Sequence, residues 1–204
     1  MILLNLFVFV YGLTLGRYYE DFIYTNSVIP AQLLLVGFTG EQLERLTTAM
    51  FLHGGWFHVL SNMLYLWIFG DNIEGRMGHF KYLIFYLLTG YLATITHVLT
   101  NPLSEVPLIG ASGAIAGVLG AYLILFPRAK VLTLIFIFVF IQVVPIPAVI
   151  FLGLWFVMQL LSGIASLTSQ AAQGVAFLAH AGGFVAGMLL AKLFARREED
   201  IYYQ

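Results

Sequence analysis

Residues 110–126 read GASGAIAGVLGAYLILF, an apolar helical stretch that has a serine at its third position and contains several small side chains. A second stretch, residues 180–187, reads HAGGFVAG and has the same character. The small residues near Ser112 and His180 in these two stretches are Gly110, Gly113, Gly117, Gly183 and Gly187. Small residues four positions apart let two membrane helices approach closely. The sequence therefore predicts a tightly packed helix pair that carries Ser112 on one helix and His180 on the other.

Composition places both helices in a membrane protein. Of the 204 residues, 61% are hydrophobic and 9% are charged, which is more apolar surface than a soluble domain of this length can bury. A membrane span needs about 20 apolar residues, because the hydrocarbon core is about 30 Å thick. The apolar stretches predict an all-α, polytopic protein of one domain, residues 1–204, with six helices at 1–16, 56–73, 80–99, 111–126, 148–167 and 175–195.

Charge and residue usage exclude several classes of function. The formal net charge is -1 and no basic cluster occurs, which argues against a nucleic-acid partner. The chain has no cysteine, so disulfides, thiolate catalysis and cysteine-based metal sites are excluded.

The positions of the basic residues predict the orientation in the membrane. With six spans and an inner N-terminus, seven of the nine lysine and arginine residues fall on the inner side, at Arg76, Lys81, Arg128, Lys130, Lys192, Arg196 and Arg197. The other two, Arg17 and Arg45, lie in a long outer loop beside acidic residues. This asymmetry follows the positive-inside rule. It predicts that both chain termini face the cytoplasm.

Two segments fit the six-span scheme less well than the others. Residues 1–16 would reach only about 24 Å at helical rise, so we expect further residues upstream. Residues 131–147 are apolar and β-branched, but they end in Pro145 and Pro147 and are too short to span. We expect a buried or interfacial connection there. The alternative is a seventh membrane-spanning helix, which would place every later segment on the opposite side of the membrane.

Four polar side chains fall inside the predicted spans at a similar depth. They are His58 and Asn62 in the second span, Ser112 in the fourth and His180 in the sixth. Polar groups inside a bilayer are costly, so each calls for an explanation. Spans two, four and six run from outside to inside, which places all four residues towards the outer face.

Ser112 and His180 have the character of a catalytic dyad. A helix N-terminus offers free N–H groups and a positive dipole end, so a serine there lies beside a site for a developing oxyanion. No carboxylate occurs at outer depth, because Asp71 and Glu74 lie near the inner end of the second span. We therefore expect a dyad rather than a triad, with the imidazole oriented by helix packing.

His58 and Asn62 share one helix face and are suited to donate hydrogen bonds to the same oxyanion. His53 precedes them, and the pair His53 and His58 approaches the spacing of histidine metal ligands. Without a carboxylate or a cysteine nearby, we predict no metal and interpret His53 as structural.

Together, Gly110-Ala111-Ser112-Gly113, the His-x-x-x-Asn pattern of His58 to Asn62, and His180-Ala181-Gly182-Gly183 running to Gly187 resemble the rhomboid family of intramembrane serine proteases. The similarity in order and spacing extends over nearly the whole chain. It implies a six-helix bundle of the bacterial type that hydrolyses peptide bonds through an acyl-enzyme, without a cofactor. Ser112 would be the nucleophile and His180 the general base and acid. His58, Asn62 and the Ser112 amide would form the oxyanion hole.

The resemblance also implies a route for the substrate. The fifth span, with Phe151, Trp155 and Phe156, would move to admit a helix of a single-span membrane protein, cut near the outer face. The expected location is a bacterial cytoplasmic membrane. Two positions depart from the family pattern: Glu44-Arg45 stands where many members have Trp-Arg, and Ala116 where some have an aromatic.

The alternative function is a non-proteolytic relative that binds membrane helices without cutting them. Such proteins usually lack the serine or the histidine, and this chain has both. A transporter or channel is disfavoured by the shortage of intramembrane charge and by the absence of internal repeats.

Overall fold

The structure is a computed structural model that describes residues 1–137, 140–168 and 176–196. Its α-helices in chain order are α1 (Ile2–Thr14), α2 (Tyr19–Asn26), α3 (Pro30–Val36), α4 (Gly40–Thr48), α5 (Trp56–Tyr65), α6 (Asp71–Met77), α7 (His79–Thr100), α8 (Ser112–Leu125), α9 (Ala148–Thr168) and α10 (Phe177–Phe194). Two strands, β1 (Lys130–Ile137) and β2 (Phe140–Pro147), separate α8 from α9. The predicted helical fold class is confirmed. Val175 and Arg197 lie outside the described residues.

Helix lengths vary widely within this fold. Among the described residues, three helices are long and apolar enough to cross a membrane, and they lie at His79–Thr100, Ala148–Leu167 and Phe177–Phe194. A fourth candidate is the N-terminal pair Ile2–Thr14 and Gly16–Asn26, which is bent by 118°. Helix α8 is apolar but has only 14 residues. The predicted first span is thus a shorter helix followed by a sharp bend.

The predicted second span is an unbroken helical path from α5 to α6. Residues Leu66–Gly70 between them form a π-helical segment, so the path runs to Met77. Gly78, with a φ of 81°, ends it and starts the turn into α7. A positive φ is accessible to glycine at no steric cost, which explains the sharp reversal between α6 and α7.

The long loop between α1 and α5 is ordered around three short helices. Val28 and Leu108 exchange backbone hydrogen bonds, from the Val28 amide at 3.3 Å and from the Leu108 amide at 2.8 Å. The Ala31 amide donates to the Ser104 carbonyl at 3.0 Å. These bonds join the first loop to the segment that leads into α8.

The connection between α8 and α9 contains an antiparallel pair of strands, at residues 130–137 and 140–147. Its register pairs Lys130 with Pro147 and Leu134 with Val143. The seventh-helix alternative is therefore wrong, because β-branched and aromatic residues favour the paired strands. Burial within the protein is also wrong for this segment, since Leu132 is 72% and Ile141 63% exposed. An interfacial position stays a prediction.

Helix α8 is the centre of the bundle. Every residue from Ala114 to Tyr122 is buried, and α7, α9 and α10 pack around it. The first residue of this central helix is Ser112, so the core of the fold also holds the serine in place.

Candidate active site

The side chains of Ser112 and His180 meet between α8 and α10. Ser112 is the first residue of α8, and His180 lies one turn into α10. His180 Nε2 is 2.8 Å from Ser112 Oγ, within hydrogen-bonding distance. A hydroxyl in contact with an imidazole nitrogen is the arrangement that lets a histidine remove the proton of a serine nucleophile.

Glycines bring the two helices into backbone contact. A methyl group on Gly183 would collide with the carbonyl oxygen of Gly113, and one on Gly187 would collide with that of Gly117. The contacts advance by four residues on both helices, so α8 and α10 run parallel to each other. Because neither serine nor histidine is long, this close approach is what allows their side chains to touch.

The other nitrogen of the imidazole has a partner on α9. His180 Nδ1 is 2.8 Å from Gln159 Oε1. A hydrogen-bonding side chain from α9 therefore contributes to the orientation of the imidazole, in addition to the predicted helix packing. Sequence reasoning from the carboxylates of a triad does not point to Gln159, although a glutamine within an apolar span is itself a costly polar group that calls for a partner.

Of the three aromatic residues assigned to a gate, Trp155 lies beside the histidine. The Trp155 ring centroid is 6.2 Å from that of His180, with ring planes 32° apart. Phe156 stacks on Phe184, with centroids 4.8 Å apart. Phe151 is half-buried and packs against the core. Since Ala116 is a buried small residue of α8, the aromatic neighbour of the imidazole comes from α9.

His58 and Asn62 face the turn that precedes Ser112. Gly110 in that turn has a φ of 116° and donates its amide to the Ala49 carbonyl at 2.9 Å. A methyl group on Gly110 would lie 2.7 Å from His58 Nε2 and 3.8 Å from Asn62 Nδ2. The strained φ and the lack of space both require glycine here. The four residues that the sequence singled out thus gather around one turn.

The two hydrogen-bond donors that face this turn are His58 Nε2–H and Asn62 Nδ2. The Gly54 amide is 3.5 Å from His58 Nδ1 and donates to it, so the neutral ring carries its proton on Nε2. Asn62 is 7% exposed, and within the described part of the chain its Nδ2 has no hydrogen-bond partner. A buried donor without a partner is costly, and such atoms are typical of sites that await a ligand or a reaction intermediate.

His53 lies behind His58 and not at the dyad. Its ring is 1% exposed and meets the His58 ring edge-on, with centroids 4.9 Å apart. The Tyr19 hydroxyl donates to the His53 carbonyl. Burial, and secondarily the charge of His58, lower the pKa of His53 to about 4, so its ring is neutral near pH 7. No metal-binding group of three His, Cys, Asp or Glu residues occurs in the described ranges.

The part of the chain that carries this site matches a known protein family. Residues 40–197, which include Ser112, His180, Gln159, His58 and Asn62, match the Rhomboid domain. The chain belongs to the rhomboid family. With its apolar helices, this membership makes the protein an integral membrane protein.

Individual rhomboid relatives come from several membranes. The chain is similar to "Rhomboid protein 1, mitochondrial" of Saccharomyces cerevisiae, with 33% identity over 68% of this chain and 38% of the yeast protein. It is 40% identical to "Rhomboid protease GluP" of Bacillus subtilis over 39% of this chain and 15% of that protein. It is 34% identical to "Rhomboid-like protein 11, chloroplastic" of Arabidopsis thaliana over 52% of this chain and 36% of that protein. The chain spans less than half the length of each.

Proposed function

We propose that this rhomboid protein is an intramembrane serine endopeptidase in which Ser112 is the nucleophile and His180 the general base and acid. The observation that carries the proposal is the 2.8 Å contact between Ser112 Oγ and His180 Nε2. The match to the Rhomboid domain and the similarity to a protein named as a rhomboid protease support the same class of reaction.

The reaction proceeds by acyl transfer. His180 Nε2 takes the proton of Ser112 Oγ as the oxygen attacks the carbonyl carbon of the peptide bond. The carbon–nitrogen bond then breaks, the imidazolium returns the proton to the leaving amine, and an ester remains on Ser112. Water attacks this ester, gives a proton to the same imidazole and releases the acid. The proton then returns to Ser112.

The negative oxygen of each tetrahedral intermediate needs donors already in place. Asn62 Nδ2, His58 Nε2–H and the Ser112 amide supply them, since the first two face Gly110 and the third is a free amide at the start of α8. Donors oriented before the reaction stabilise the developing charge without reorganisation. The unpaired Asn62 Nδ2 is the strongest structural argument for this role.

The length of α8 favours a site recessed in the bilayer. Fourteen residues extend about 21 Å, roughly 9 Å less than the hydrocarbon core. With the inner end of α8 at the inner boundary, Ser112 lies below the outer surface. The inner concentration of basic residues orients the protein this way, with both termini in the cytoplasm. A bacterial cytoplasmic membrane suits this orientation.

The substrates proposed are single-span membrane proteins whose helices unwind readily. Scission needs an extended backbone, whereas a membrane helix keeps its backbone bonds paired. Access runs past α9, where Phe151, Trp155 and Phe156 form the gate. No cofactor takes part in this chemistry.

The experiment is cleavage of a single-span protein with a labile helix, reconstituted in liposomes with the parent chain. Ser112→Ala and His180→Ala are each expected to lower the rate about 10³-fold or more. Two matched controls are Ser166→Ala, whose hydroxyl bonds within its own helix, and His79→Ala, which pairs with Glu74 at the start of α7. Both controls should cleave at the parent rate. Cleavage that persists in the two site variants overturns the dyad, and binding without any cleavage favours the non-proteolytic alternative.

A further inference from the structure

The imidazole of His180 is held at both nitrogens, by residues from two different helices. Nε2 faces Ser112 Oγ and Nδ1 faces Gln159 Oε1, each at 2.8 Å. His180 and Gln159 are both partly buried, and both contacts lie between helices of the bundle. Gln159 is the polar group that meets Nδ1, where a triad would have its carboxylate.

An amide oxygen at Nδ1 determines where the imidazole proton lies. An oxygen can only accept, so Nδ1 must carry the proton and Nε2 must offer its lone pair. Nε2 is then the base that faces the Ser112 hydroxyl. If the glutamine amide were turned to present its NH₂ group, the proton would move to Nε2, and the ring could not accept from Ser112. Only the first arrangement gives a dyad ready to react.

We infer that Gln159 is a positioning residue that sets the tautomer of His180, and that the dyad is ready only while α9 is in place. This inference rests on the proposed protease function. In the most apolar 18-residue stretch of α9, 17% is buried inside the protein, whereas in the corresponding stretch of α10 39% is buried. Because α9 is the less enclosed helix, outward movement of α9 separates Gln159 from His180 while the Ser112 contact stays.

The inference also assigns a sequence of events. A substrate helix that enters past α9 displaces Gln159 and leaves the imidazole free to change tautomer. The return of α9 restores the Nδ1 hydrogen bond before the proton transfer. The enzyme would then be least reactive while its gate is open.

Two measurements test the role of Gln159 separately from proteolysis. The first is ¹⁵N NMR of the histidine side chains in micelles, with His180→Ala used to assign one signal among five histidines. The parent should show the His180 proton on Nδ1, and Gln159→Leu should move it towards Nε2. A parent proton on Nε2, or the same tautomer in both proteins, overturns the inference whether or not the chain cleaves anything.

The second measurement is the kinetics of cleavage in liposomes. Gln159→Leu should lower kcat by about ten- to a hundredfold with KM unchanged, the effect expected of one hydrogen bond to a group that becomes charged. Gln159→Glu keeps an acceptor oxygen and should restore most of kcat. Met158→Leu is the matched control, because Met158 is 57% exposed on the same helix.

A parent kcat in Gln159→Leu, or a Gln159→Glu protein as slow as Gln159→Leu, contradicts the positioning role. A loss confined to KM also contradicts it, since Gln159 would then contact the substrate. Failure of the proposed function is recognised differently: cleavage by the parent would not depend on Ser112.

Discussion

Helices α10 and α9 both contribute to the imidazole, but the bundle holds them in different ways. Helix α10 meets α8 through backbone atoms, where Gly183 and Gly187 lie against the carbonyls of Gly113 and Gly117. Helix α9 meets its neighbours mainly through side chains, and a smaller share of it is buried. Backbone contact leaves little freedom of movement, whereas a side-chain contact changes by rotation about single bonds.

The difference separates two requirements of the site. The distance between Ser112 and His180 depends on the rigid α8 and α10 contact. The orientation of the imidazole depends on Gln159 from the peripheral helix. A site divided in this way keeps its nucleophile and base together while the neighbouring helix moves to admit a substrate.

The largest expected effect comes from breaking the rigid contact. Gly187→Ala places a methyl group in the carbonyl of Gly117, and no side-chain rotation relieves this overlap. We expect a loss of about 3 kcal/mol in the free energy of unfolding, the upper end of the usual range for overpacked cores. Unfolding of the purified protein in mixed micelles measures it.

Gly153→Ala on α9 is the control, because a methyl group there meets nothing within 4 Å. It should leave stability unchanged or raise it by up to about 1 kcal/mol, as alanine favours the helix more than glycine. Equal losses in the two variants would show that α9 and α10 are held alike.

The oxyanion donors belong to the rigid side of the comparison, since α5 packs on the core through the buried residues Val59 and Met63. Asn62→Ala should lower kcat by about a hundredfold, as the loss of one oxyanion donor does elsewhere. Asn72→Ala is the control, because the Asn72 side chain donates to the Ile68 carbonyl at the other end of the same helical path. A parent kcat in Asn62→Ala would remove Asn62 from the site.

A smaller effect is expected when α9 is pushed away from α10. A methyl group on Gly163 would lie 2.6 Å from Leu178 Cδ2 and 3.4 Å from the Leu178 backbone nitrogen. The branched side chain of Gly163→Val would therefore meet the backbone of α10 as well as a movable side chain, and we expect it to separate the helices near Gln159. We expect a fall in kcat of roughly tenfold, about 1.4 kcal/mol in the barrier, because His180 loses its orienting partner. Cleavage by Gly163→Val and Gly153→Val, compared at equal stability, checks the prediction. An unchanged rate in Gly163→Val would show that catalysis does not depend on the position of α9.

The dyad residues and the α8–α10 helix pair could be predicted from the sequence, because they involve residue types that are rare within apolar spans. A serine at a helix start and a histidine within an apolar span are conspicuous, and the glycine spacing indicates which helices approach. The pair of strands at residues 130–137 and 140–147 was not predicted, because a short apolar run is compatible with helix or strand until pairing is seen. Gln159 was not predicted either, since its role depends on the rotation of α9 about its own axis, which hydropathy leaves open.

The most direct test of the account is the site of covalent labelling by a fluorophosphonate. Such probes attack an activated serine, so mass spectrometry of the labelled parent should place the adduct on Ser112. His180→Ala should remain unlabelled under the same conditions because it lacks the base. An adduct on any other serine, or labelling of His180→Ala at the parent rate, would contradict the contact between Ser112 and His180 as the source of reactivity.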